Sequence, residues 1–174
     1  MGTTNLNSLA VDDITLGGTA VTATAAELNR AADVSTRIVN ATAATLAVTA
    51  ANHDGKIVTL NRAAGITATL PAASGSGARF RFIVGTTFTG NGIVQVANAS
   101  DTMCGNALVL QDGGDTAVAF EAGATADTIT FNGTTTGGLK GAEIEVIDIA
   151  ANLFFVNVRT AATGTEATPF SAAV

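Results

Sequence analysis

The sequence has no Trp, no Tyr, one Cys, one His and two Pro, and only 13% of its 174 residues are charged. One cysteine cannot build an internal disulfide framework. One histidine and one cysteine fall short of the usual zinc ligand count. No apolar run approaches the length of about 18 residues that a transmembrane helix needs. Eight Lys+Arg against fourteen Asp+Glu leave a net charge of -6, the wrong sign for a nucleic-acid partner. No basic segment followed by an apolar run opens the chain, so no secretory signal is expected.

Small side chains fill the space these absences leave. Of the 47% apolar residues, Ala supplies 35, while Val, Ile, Leu and Phe together supply 44; Thr adds 28 and Gly 19. The abundance of β-branched residues and the modest net charge argue against disorder. The length fits one domain of roughly 130–150 residues, large enough to bury its own core. With few large apolar residues that core is thin, and such a domain gains stability by assembling, so an oligomer is expected.

Three regions follow from the pattern. Residues 1–20 are polar with sparse apolar positions, Leu6, Leu9, Val11, Ile14 and Leu16, and end at Gly17-Gly18. This stretch reads as a mobile tail, or as an extended arm that orders on a partner with those five side chains as anchors. Residues 21–35 form a linker with a short helix. Thr24-Ala25-Ala26-Glu27 ahead of Leu28 is a capping-box signature, predicting a helix from about Ala25 to Asp33. Two turns are too few to stand alone, so Leu28 must pack on something.

Residues 36–174 carry strand and turn signals. A helical turn over Thr49 to Gly55 precedes the buried strand Ile57–Leu60. Ile66–Leu70 alternates until Pro71, and Ser74-Gly75-Ser76-Gly77 reads as a flexible turn. In Ala78–Val84, Phe80, Phe82 and Val84 share one face and Arg79, Arg81 and Ile83 the other. Gly90-Asn91-Gly92 reads as a hairpin turn into Ile93–Val96. Leu108–Leu110 should turn at Asp112-Gly113-Gly114-Asp115 into Thr116–Glu121. Further strands are expected at Thr128–Phe131, Glu143–Ile149 and, after a turn at Asn152, Phe154–Val158, followed by a small, polar tail. About eight to nine short strands at this spacing predict an all-β, antiparallel sandwich or barrel-like domain. The likeness between Val21–Leu28 and Val39–Leu46 is read as compositional, since no sustained period follows.

Chemistry is sparse. His53 lacks a converging nucleophile and carboxylate, and Asp54 beside it does not face it, so a surface or capping role is expected. Cys104 has no basic neighbour and reads as a buried small hydrophobe near a turn. Asp112 and Asp115 supply too few oxygens for calcium. Asn-X-Ser/Thr matches at Asn40, Asn98 and Asn132 carry no weight in a chain with so much Thr and no expected signal. No Gly-Lys-Ser/Thr follows any Gly run. The expectation is no enzyme, no cofactor, no metal and no small-molecule substrate. Arg79 and Arg81 on one strand, with Glu143 and Glu145 on another, could form a cross-strand or interface charge ladder.

The run from Leu60 to Phe82, the ending Ala162–Phe170 and the Thr-Ala-Ala-Glu-Leu-Asn core of Val21–Asn29 together resemble structural proteins of tailed bacteriophages, above all capsid decoration (cement) proteins. The resemblance implies a small β-rich homotrimer on the outer capsid surface, at threefold and quasi-threefold points of the major capsid protein. There it would stabilise the shell against packed DNA. It implies a virion location after synthesis in the bacterial host cytoplasm, no membrane or nucleic-acid partner, and no catalytic residues. Contacts are expected from Leu6, Leu9, Val11, Ile14, Leu16 and Leu28. A tail-fibre or baseplate module is the alternative, disfavoured by a chain expected to be complete at Val174. A carbohydrate-binding module is a second alternative, opposed by the missing Trp and Tyr platforms.

Overall fold

The computed structural model describes residues 15–32, 37–112 and 116–174. The chain divides into an N-terminal unit, Met1–Ser35, and a body, Thr36–Val174.

In the N-terminal unit, β1 (Thr15–Leu16) and β2 (Thr19–Ala20) pair antiparallel around Gly17-Gly18. Residues 15–20, the described end of the stretch expected to be a mobile tail or an extended arm, form a hairpin. Leu6, Leu9, Val11 and Ile14 lie outside the described residues. Helix α1 (Ala25–Ala32) opens with a reciprocal capping box. The Thr24 N–H donates to Glu27 Oε2 at 2.7 Å, and the Glu27 N–H donates to Thr24 Oγ1 at 3.3 Å. Two N-terminal donors of the helix end are thereby satisfied locally.

The body is all-β apart from one helical turn, α2 (Ala50–His53). Its strands are β3 (Ile38–Ala41), β4 (Thr45–Ala47), β5 (Ile57–Leu60), β6 (Thr67–Thr69), β7 (Arg79–Val84) and β8 (Gly92–Gln95). They continue as β9 (Thr102–Leu110), β10 (Ala117–Glu121), β11 (Thr128–Phe131), β12 (Glu143–Ala150), β13 (Leu153–Ala161) and β14 (Phe170–Ser171). A seven-stranded sheet has the order β10-β9-β13-β12-β7-β5-β3, and a five-stranded sheet the order β14-β11-β8-β6-β4.

Both sheets are mixed, which corrects the antiparallel expectation. From β3 to β8 the chain alternates between sheets. Thus β3, β5 and β7 stack in parallel in one, and β4, β6 and β8 in parallel in the other. These six strands make three coils of a solenoid, each coil giving one strand to each sheet. Gly90-Asn91-Gly92 therefore does not close a hairpin: β7 and β8 belong to different sheets. The antiparallel pairs come later. β9 and β10 form the expected hairpin, as do β12 and β13, while β13 lies parallel to β9.

One hydrophobic cluster fills the space between the sheets. Phe80, Phe82 and Phe154 from the larger sheet and Phe131 from the smaller are fully buried, as is Phe88 from the loop between β7 and β8. Each such burial contributes about 1.5–3 kcal/mol, so a few aromatics offset the preponderance of alanine. The ending Thr160–Val174 is held more firmly than a small, polar tail would be. Phe170 is buried, and β14 pairs with β11.

Candidate functional site

The outward side chains of the seven-stranded sheet bring together four charged residues, Arg81, Glu143, Glu145 and Arg159, around one hollow. Period-two alternation places them opposite the core residues. The register across the sheet arranges them in rows. One row reads Leu108, Arg159, Glu143, Ile83 across β9, β13, β12 and β7. The next reads Asn106, Asn157, Glu145, Arg81 across the same strands, and continues through Ile57 to Ile38 on β5 and β3. A third reads Cys104, Phe155, Ile147, Arg79.

The expected ladder residues therefore share one face. Arg81 Nε donates to Glu143 Oε1 at 2.6 Å, diagonally between β7 and β12. Glu145 lies directly across from Arg81 in register, and Arg79 across from Ile147. Neither Glu145 nor Arg159 makes a side-chain hydrogen bond or ion pair among the described residues. Arg81, Glu143, Glu145, Asn157 and Arg159 line a shallow hollow of about 160 Å³. Large apolar side chains surround this polar centre. Ile38 is 62% exposed, Leu108 42% and Leu110 50%, and Ile57, Ile83, Ile147 and Phe155 are half-buried.

The remaining candidates fall elsewhere. Leu28, on α1, is 41% exposed. Leu16 lies in β1, its side chain outside the described residues. His53 takes the capping role, buried and not at the surface: the Thr49 N–H donates to its Nδ1 at 3.0 Å, closing the N-terminus of α2. Cys104 is half-buried inside strand β9, where a buried residue near a turn was expected. No group of three or more His, Cys, Asp or Glu residues that could hold a metal occurs among the described residues. Among the same residues, no helix is long and apolar enough to cross a membrane.

Two carboxylates organise the ends of the sandwich, and the sequence reading passed over both. Asp148 sits at the bulge of β12 and is buried. It accepts the N–H groups of Ser74, Gly75 and Ser76 at 2.7–3.2 Å and both serine hydroxyls. Gly75 adopts φ 76°, which lets successive N–H groups converge on one anion. The Ser74–Gly77 segment is thus a pinned loop and not a flexible turn. Burial raises the Asp148 pKa, but the Ser76 hydroxyl, the Ser76 and Gly75 N–H groups and the Ser74 hydroxyl together outweigh it, leaving it at about 2. Asp127, also buried, accepts the Thr128 hydroxyl at 2.7 Å and the N–H groups of Ala173 and Val174 at 2.8 and 3.3 Å. The only sequence signal for either was an acidic residue beside a strand end.

Compared with protein-family models, with curated proteins and with solved structures, the chain matches none.

Proposed function

We propose that this chain is a virion structural protein. It binds the outer capsid surface as a homotrimer at threefold and quasi-threefold positions and stabilises the shell against internal DNA pressure. Its partners are the major capsid protein and other copies of itself. It acts by adhering, with no catalytic step.

The observation that carries this reading is the division of the chain. A body with its own core is preceded by a separate unit whose eight-residue helix leaves Leu28 41% exposed. A helix this short draws its stability from packing against something else. Leu28 and the apolar positions Leu6, Leu9, Val11, Ile14 and Leu16 supply the side chains for such a contact. The phage-like texture of Val21–Asn29 supports a capsid partner. Three weak contacts on one rigid trimer give avidity well beyond a single contact. Binding only the mature lattice stabilises that lattice by mass action.

Cosedimentation with capsids stripped of their surface proteins tests the reading. The full chain should pellet with capsids. Deletion of residues 1–20 or Leu28→Asp should leave it in the supernatant, with the melting temperature of the body unchanged. Undiminished pelleting of both variants would overturn the arm contact.

A further inference from the structure

The outer face of the seven-stranded sheet is complementary to itself, and we infer that a second copy of the chain packs on it face to face. The twofold axis runs along the strands between β12 and β13. Such an axis keeps each row in place and exchanges the columns, so β12 meets the partner's β13 and β7 meets the partner's β9. The pairs nearest the axis then find their match. In the first, Arg159 meets Glu143 and Ile83 meets Leu108, each twice by symmetry. In the second, the Asn157 amide meets the Glu145 carboxylate, and Asn106 meets Arg81. In the third, Phe155 meets Ile147 at the axis, with Arg79 over Cys104 at the flanks.

Three observations select this occupant. In the first row the charges are reversed in sign about the axis, Arg159 on β13 beside Glu143 on β12, flanked by the apolar Leu108 and Ile83. Glu145 and Arg159, which lie next to the axis, have no side-chain partner among the described residues, so the contact completes them. The flanking Leu108 and Ile83 are apolar at positions where a solvated sheet face carries polar residues. Seven strands about 4.8 Å apart and roughly six residues long cover about 30 by 20 Å, the scale of a standard interface. Aligned sheets cross at about 30°, so the pairs nearest the axis remain opposed despite the twist.

This contact is twofold, distinct from the threefold one proposed above, and uses none of Leu6, Leu9, Val11, Ile14, Leu16 and Leu28. Its test separates the two. Leu108→Glu and Ile83→Lys are made singly in the full chain and weighed by native mass spectrometry and sedimentation equilibrium. Each should halve the mass of the wild-type assembly. Mixed in equal amounts the two variants should recover it. The carboxylate introduced on β9 of one copy then faces the ammonium introduced on β7 of the other, while the second Leu108–Ile83 contact stays native. The inverse pair, Leu108→Lys and Ile83→Glu, should behave identically. Circular dichroism and melting temperature report folding. A wild-type mass that neither substitution changes, or folded single variants that do not reassociate on mixing, overturns the inference. A halved species that is not three copies contradicts the trimer and leaves the twofold contact standing.

Discussion

Asp148 and Ser76 are joined twice: the Ser76 N–H donates to Asp148 Oδ2 at 3.0 Å and the Ser76 hydroxyl at 2.6 Å. This pair locks the loop entering β7 onto the bulge that ends the regular part of β12. The strand carrying Phe80 and Phe82 is thus fixed at its start by a buried anion and along its length by the core.

The Asp148 pKa sets a pH dependence. It lies at about 2 in the folded chain against 3.8 for the unperturbed group, so the unfolded chain binds more protons between those values. The stabilisation is fully present above about pH 4 and is lost as pH falls toward 2, amounting to roughly 2 kcal/mol. Asp148→Asn should lower stability at neutral pH by about that amount. It should also flatten the acid limb of stability against pH, measured by urea unfolding from pH 2 to pH 7.

Asp127 holds the segment after β14 as Asp148 holds the loop before β7. Removing Ala173 and Val174, or making Asp127→Ala, abolishes the N–H contacts at 2.8 and 3.3 Å. Each change should cost about 1–3 kcal/mol and raise hydrogen exchange in β14 and β11 before the rest of the sheet.

Gly105 is a backbone requirement inside β9. Its φ is 134°, and a Cβ there would lie 1.9 Å from the Val156 carbonyl oxygen. Gly105→Ala should destabilise the fold by more than the roughly 1 kcal/mol that the same replacement gains where the backbone permits it, because both conformation and space oppose it. Thermal unfolding measures the loss.

Arg81→Ala and Phe82→Ala should differ sharply although the residues are neighbours on β7. The Arg81–Glu143 pair is half exposed, with side-chain exposures of 50% and 28%, so its loss should cost less than about 1 kcal/mol and be screened by salt. Phe82 is fully buried, and truncation should cost about 3–5 kcal/mol at any ionic strength.

The legible parts of this structure were the local ones. Thr24 and Glu27 are three residues apart, so their capping box is written in four consecutive letters. The β9–β10 and β12–β13 hairpins were visible because each joins neighbouring segments. That Arg79 and Arg81 share one face of their strand, and Glu143 and Glu145 one face of theirs, was visible from strand periodicity, but the pairing of β7 with β12 that brings the two together was not. The parallel coils were not visible. The step from Ile38 to Ile57 is shorter than that from Ile57 to Arg81, so the stacked strands leave no fixed period. Gly90-Asn91-Gly92 has hairpin composition, yet the same residues serve a crossing between sheets. Asp148 and Ser74 lie 74 positions apart, and nothing near either announces the other.

The most direct test of the proposed role is heating of stripped, DNA-filled capsids with and without saturating full-length chain, following DNA release by dye fluorescence. The account predicts saturable binding in multiples of three copies and release shifted to higher temperature. A chain that leaves the release temperature unchanged and does not sediment with the capsids would contradict it.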